Sequence, residues 1–203
     1  MMKKVLLASG SIFLMWQSHK LLGLIGEIRM DSWGFLVFFA WVINLFITGV
    51  FAFAGFAFPT QKILPRGYYQ ISRPKSLKRI YKLLGVSFFR QLLLLTLWRS
   101  KQQRAKHFDG KKDGIENLIV QSQKSEFGHL LPLIIVNLVC IYMLALELFD
   151  LALASFLINI IGNLYPIILQ RHHRMRIQII ERRFGANAYK SEVGKQIWLN
   201  YRA

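Results

Sequence analysis

The sequence predicts an all-α integral membrane protein, with about four transmembrane helices and one amphipathic helix lying in the membrane interface. Three observations carry this. Hydrophobic residues make up 54% of the 203 positions and only 18% are charged, against about a quarter charged in a soluble domain. The apolar residues come in long uninterrupted runs. The net charge of +17 is gathered in segments flanking those runs, so topology explains it and nucleic-acid binding does not.

Each element has its own signal. The first span, about 5–25, starts after Lys3 and Lys4 and tolerates His19 and Lys20. No small-residue cleavage pattern follows it, so it reads as a retained signal anchor. The second span, Phe35 to Phe58, is 24 residues without a charge. Gly49, Ala52, Ala54, Gly55 and Ala57 within it allow another helix close approach. Pro59 and Pro65 end that helix and open a basic region, 60–126. There "SLKRIYKLLGVSFFRQLLLLTLW" (76–98) is too charged to span and too apolar to float free, which predicts an interfacial helix broken near Gly85. "DGKKDG" (109–114) reads as a turn, and Ile115 to Lys124 as a short helix. The third and fourth spans, 130–149 and 151–169, form an antiparallel hairpin about a turn marked by Glu147 and Asp150. A basic tail, 170–203, follows, and the whole chain reads as one membrane domain.

Segment 60–126 carries 15 Lys and Arg and the tail carries eight. With four spans these fall on the same side as Lys3 and Lys4, which puts both termini in the cytoplasm of a multi-pass cell-membrane protein. The lone cysteine, Cys140, excludes an intramolecular disulfide and a cysteine-based zinc site.

Two polar clusters stand at the cytoplasmic ends of the hairpin spans. In "QKSEFGHLL", Glu126 and His129 are three apart on a helix and share a face. A carboxylate beside an imidazole orients the ring and raises its basicity, as a general base requires; the plainer reading is a helix start. In "NLYPIILQRHHRMRI" (163–177), Gln170, Arg171, Arg174 and Arg176 close an apolar run. Arginines there either anchor the chain to lipid phosphates or hold a phosphate or carboxylate with fork geometry. Arg171 and Arg174 share a face and suit the site, whereas Arg176 suits an anchor. Packing explains Asn163 and Pro166 as readily as function does. No metal is expected, since no His-x-x-x-His pair exists. Nor is there a nucleophile elbow, a Walker motif or a dinucleotide-binding glycine pattern.

"KSEFGH" (124–129), "NLYPIILQRHHRMRI" and the preceding "RIYKLLGVSFFRQLL" resemble the glycosyl-4,4′-diaponeurosporenoate acyltransferase family, over roughly 76–177. The chain departs from the family pattern at Leu130, where a tryptophan is favoured, and in Arg-His-His-Arg-Met-Arg, which replaces Arg-Tyr-Asn-Arg-Pro-Arg. The resemblance implies transfer of a fatty acyl group to a hydroxyl of a glycosylated carotenoid or related lipid acceptor. It implies Glu126 and His129 as the catalytic pair, and Asn163, Gln170, Arg171, Arg174 and Arg176 as substrate- or donor-binding residues. In this reading Arg171 and Arg174 hold the donor's phosphates if the donor is acyl-CoA, Gln170 or Asn163 stabilises the oxyanion, and no cofactor is needed. The rival reading is a non-catalytic membrane protein that binds anionic lipid or a partner enzyme through its basic face. Such a scaffold needs the arginines and has no use for a base.

Overall fold

The computed structural model describes residues 2–27, 32–96 and 112–188. Among these the chain is all-helical and no strand forms. The order is α1 (Met2–Gly23), α2 (Trp33–Ala57), a 3-10 turn (Thr60–Lys62), α3 (Arg66–Tyr69), α4 (Pro74–Leu83), α5 (Val86–Thr96), α6 (Lys112–Ala145), α7 (Phe149–Asn159), a π turn (Ile160–Leu164) and α8 (Tyr165–Ala188). Arg99, Lys101, Arg104 and Lys106 of the basic region 60–126, and the tail beyond 188, lie outside the described residues.

Three helices are long and apolar enough to cross a membrane: Trp33–Ala57, Asn117–Ala145 and Phe149–Ile179. The protein is therefore a membrane protein. Helix α1 has the length, 22 residues, but Ser9, Ser11, Gln17, Ser18, His19 and Lys20 interrupt its apolar run. Of the expected spans, three thus meet both conditions. Residues 109–111 of the expected turn lie outside the described residues; its remainder and the expected short helix from Ile115 belong to α6, which starts at Lys112 and runs unbroken through Pro132.

The chain divides into two compact units. The first comprises Met1–Leu64 and Lys124–Ile167. Its core is Phe39, Ala40, Ile43 and Ile47 of α2, Val136, Val139, Cys140 and Met143 of α6, and Leu151 and Ala152 of α7. The opposite faces carry exposed Trp33, Val37, Phe38, Trp41 and Leu45 on α2, and Ile134, Leu138 and Ile141 on α6. Apolar faces of this extent suit lipid.

Lipid is as apolar as leucine, so close packing and hydrogen bonds must join these helices. A Cβ on Gly49 would stand 2.7 Å from Leu14 Cδ1, and one on Gly10 2.9 Å from Phe53 Cδ2. Small residues thus let α1 and α2 approach. The Ser11 hydroxyl donates to the Val50 carbonyl at 2.8 Å, and the Asn44 amide donates to the Ser155 carbonyl at 3.3 Å. Helix α6 ends in a Schellman turn: the Leu148 N–H bonds the Met143 carbonyl, and the Glu147 N–H the Leu144 carbonyl. Glu147 takes the left-handed conformation this turn requires, φ 61°.

The second unit comprises Pro65–Gln123 and Ile168–Ala203. Here the expected interfacial segment is two helices, α4 and α5, separated at Gly85 (φ 62°). Helix α4 exposes Lys75, Lys78, Arg79 and Lys82, and α5 exposes Phe88, Leu92 and Leu95. A Cβ on Gly85 would meet nothing within 4 Å, so the glycine is needed for its backbone alone. Gly85→Ala is therefore expected to destabilise this unit by about 1–2 kcal/mol, with Gly85→Asn costing less. Thermal unfolding in detergent, followed by helicity, measures both; equal stability of Gly85→Ala and wild type would contradict a backbone role for the glycine.

Candidate functional site

Polar side chains inside membrane-crossing helices must find partners within the protein, since hydrocarbon offers none. The first unit has such a set in Thr48 on α2, His129 and Asn137 on α6, Asn159 at the end of α7, and Asn163 in the π turn. They form one connected network. His129 Nδ1 lies 3.0 Å from Asn163 Oδ1. The Asn163 amide donates to Asn159 Oδ1 at 2.9 Å and to the Thr48 hydroxyl at 3.1 Å. The Thr48 hydroxyl also lies 3.2 Å from Asn163 Oδ1. The Asn159 amide donates to the Leu133 carbonyl at 3.1 Å, which also takes the Asn137 amide at 2.8 Å. Asn159 and Asn163 are 0% and 1% exposed, while His129 keeps a partly exposed edge.

Local backbone chemistry sets this up. Asn159 and Asn163 are four residues apart at the two ends of the π turn, and their side chains meet along the helix. A π turn leaves part of the ordinary helical ladder unmade and recurs at functional sites. Pro166 has no N–H for the preceding turn. The Gly162 backbone, four residues earlier, makes a hydrogen bond with the His129 ring.

Helical spacing assigns the orientation of this ring to Glu126. The contact on Nδ1 comes instead from Asn163, across from α6. Spacing of three brings Glu126 and His129 to one face of a helix, but the imidazole reaches to the neighbouring element. Glu126 is itself fully buried, at 0% exposure. Asn163 is expected as an oxyanion donor, yet its amide is directed to Asn159 and Thr48. Thr48 and Asn159 escape the sequence reading, because single polar residues in apolar runs look like packing. Their signal is a shared one: amides and a hydroxyl recurring in helices that lipid cannot satisfy.

The second unit holds Gln170, Arg171, Arg174 and Arg176. The Arg171 guanidinium donates to the Tyr68 carbonyl at 2.9 Å and lies 4.9 Å from the Tyr68 ring. Arg174 donates through Nε to the Tyr69 carbonyl at 3.0 Å and through Nη1 to the Ser122 hydroxyl at 3.2 Å. It lies 5.2 Å from the Tyr69 ring and is 1% exposed. Gln178 joins them: its amide donates to the Tyr69 carbonyl at 3.4 Å, and its oxygen accepts from the Ile71 N–H at 3.0 Å. Arg174 and Gln178 thus brace segment 66–71 against α8. This is a more internal position for Arg174 than phosphate binding requires.

Gln170, Arg171 and Arg176 are only partly buried. His172 stacks on Tyr81 at 3.9 Å between ring centres, 17° from parallel. Burial pushes the Tyr81 hydroxyl above its ordinary pKa, while Arg90, which hydrogen-bonds it, and Arg176 pull it down. Arg176 therefore belongs to a cationic group around Tyr81, where its sequence position suggests a lipid anchor.

A buried guanidinium bonded to a carbonyl contributes about 1.5–3 kcal/mol. Arg174→Ala is expected to lower stability by at least that amount in reversible unfolding from mixed micelles. Arg174→Lys should recover less than half of it, because one ammonium cannot reproduce the fork. Full recovery by lysine would show that charge alone matters there.

Comparison with known proteins adds a family. Residues 65–183 match the family model of glycosyl-4,4'-diaponeurosporenoate acyltransferase. The matched stretch includes His129, Asn159, Asn163 and the arginine cluster, and leaves Thr48 outside. No curated protein and no solved structure matches the chain. The match covers more than half of the 203 residues, so the chain belongs to the glycosyl-4,4'-diaponeurosporenoate acyltransferase family.

Proposed function

We propose that the protein transfers a fatty acyl group to a hydroxyl of a glycosylated carotenoid or related lipid acceptor, with His129 as the general base. The observation that supports this most is the His129–Asn163 contact, 3.0 Å long, within apolar helices. A held imidazole with one edge open suits proton transfer; a lipid-binding scaffold has no need of it. Membership of an acyltransferase family points the same way.

The acceptor hydroxyl oxygen attacks the carbonyl of an acyl thioester, and Nε2 of His129 takes the hydroxyl proton. The ester C–O bond forms as the C–S bond breaks, and the proton passes from Nε2 to the departing thiolate. Gln170, Arg171 and Arg176 are assigned to anionic groups of the donor, with acyl-CoA as the donor class, and Arg174 to holding segment 66–71 in place. Glu126, buried about one turn before His129 on α6, is assigned to tuning the charge around that helix. With α1 counted as a fourth span, both termini are assigned to the cytoplasm, the side on which acyl-CoA is made.

The test is lipid extraction and mass spectrometry from cells that make a glycosylated carotenoid and carry wild type, His129→Ala or His129→Gln at equal membrane abundance. Wild type should yield a product heavier by one acyl group, and both variants should yield at least about 100-fold less, the lower end of what a general base contributes. Undiminished product from either variant would overturn the assignment of His129. Lipid profiles identical in all three strains and in cells lacking the protein would remove acyl transfer and favour the scaffold.

A further inference from the structure

The network around His129 has a direction, and the direction specifies a protonation state. Its far end is the Leu133 carbonyl, which can only accept. Asn159 must therefore turn its NH2 towards it, and does so at 3.1 Å. That leaves Asn159 Oδ1 facing Asn163, and an oxygen there requires the NH2 of Asn163, which donates at 2.9 Å. The Asn163 side chain then has only its oxygen left for the imidazole, 3.0 Å from Nδ1. An oxygen acceptor at that distance requires a proton on Nδ1; the Gly162 backbone, the ring's other partner, is likewise an acceptor and offers the imidazole no donor. Thr48 does not decide the matter, since a hydroxyl can donate or accept and rotates to suit. Neither amide can flip without setting oxygen against oxygen.

We propose that Asn159 is a positioning residue which, through Asn163, holds neutral His129 in the Nδ1–H tautomer and so leaves the basic lone pair on Nε2. This rests on the reading of His129 as the general base and deepens it. Asn159 touches no reacting atom. Its effect is to make one of two nearly equivalent nitrogens the base, as a carboxylate does for the histidine of a hydrolase triad. The residue is fully buried at 0% exposure, and an apolar side chain of similar size would fill the same space. A carboxamide is needed for polarity more than for volume.

The experiment is 15N NMR of protein labelled at histidine and held in lipid nanodiscs, at a pH where His129 is neutral. The chain has 5 histidines, and the His129→Gln difference spectrum identifies the signals. In wild type, the directly bonded proton should sit on Nδ1. In Asn159→Leu the Nδ1–H form should cease to be the major one, and acyl transfer should fall at least about tenfold, because each molecule in the other tautomer presents a proton where a lone pair is needed. Asn159→Asp, whose carboxyl is kept protonated by burial, donates its O–H to the Leu133 carbonyl in place of the amide, keeps an oxygen facing Asn163, and should restore both the Nδ1–H spectrum and most of the activity. A purely structural asparagine would change stability in Asn159→Leu without moving the tautomer, and that result overturns the proposal. So does an Nε2–H spectrum in wild type or in Asn159→Asp, which stands as a test even where Asn159→Leu fails to fold. An Nδ1–H spectrum in wild type that Asn159→Leu shifts, with no acyl product from any form, would sustain the tautomer assignment and remove the acyltransferase reading instead.

Discussion

The hydrogen bond between His129 and Asn163 answers a constraint on the first unit: within apolar helices a polar group finds its partner in another polar group of the protein or stays unpaired at a cost. Leaving a carboxamide unpaired in hydrocarbon costs several kcal/mol. Helices in lipid gain little from burying leucine against leucine, so such bonds also help join them. Thr48, Asn159, Asn163, His129 and the Leu133 carbonyl form one set in which each member is another's partner. The same rule explains the smaller links, Ser11 to Val50 and Asn44 to Ser155. On the proposed role of His129, stability and chemistry draw on the same atoms. A substitution made to probe one will disturb the other, unless it preserves shape and donor count.

Irregular backbone supplies what regular helix cannot. The π turn at Ile160–Leu164 begins just after Asn159 and contains Asn163, and Pro166 lacks the N–H that would have closed the next turn. The Gly162 backbone accordingly serves the imidazole. In the second unit, segment 66–71 has little helix of its own and depends on side chains for its position. Arg174 and Gln178 provide them by bonding the Tyr69 carbonyl from one face of α8. The arginines of this stretch thus divide by depth: Arg174 is internal, while Arg171 and Arg176 retain exposed surface.

Much of this is legible in the sequence. Uninterrupted apolar runs locate the three long spanning helices, because nothing else accommodates 24 uncharged residues between Phe35 and Phe58. Gly85 is legible as a break, since glycine in a basic amphipathic run has few other uses. The family resemblance picks out His129 and Asn163 as site residues, and the structure brings those two into contact. What cannot be read is partnership. Spacing within one helix suggests neighbours on that helix, Glu126 for His129, and gives no sign of the Asn163 contact, which crosses from one element to another. Asn159 shows the same limit. A lone asparagine in an apolar run carries no local signature, and its meaning lies in the carbonyl it faces, 26 residues earlier in the chain. The internal position of Arg174 is likewise invisible, because a cluster of arginines at a helix end reads as surface until burial is known.

In the proposed mechanism Asn163 acts on the reaction only through His129. A double-mutant cycle tests it most directly, with rates of acyl transfer measured for purified protein in nanodiscs carrying Asn163→Ala, His129→Ala and both. If Asn163 serves only to hold the imidazole, its loss will slow the enzyme that has His129 and change nothing further in the enzyme that lacks it. Two losses that multiply would mean that Asn163 contributes to acyl transfer independently, and would contradict a network whose only route to the chemistry is the imidazole.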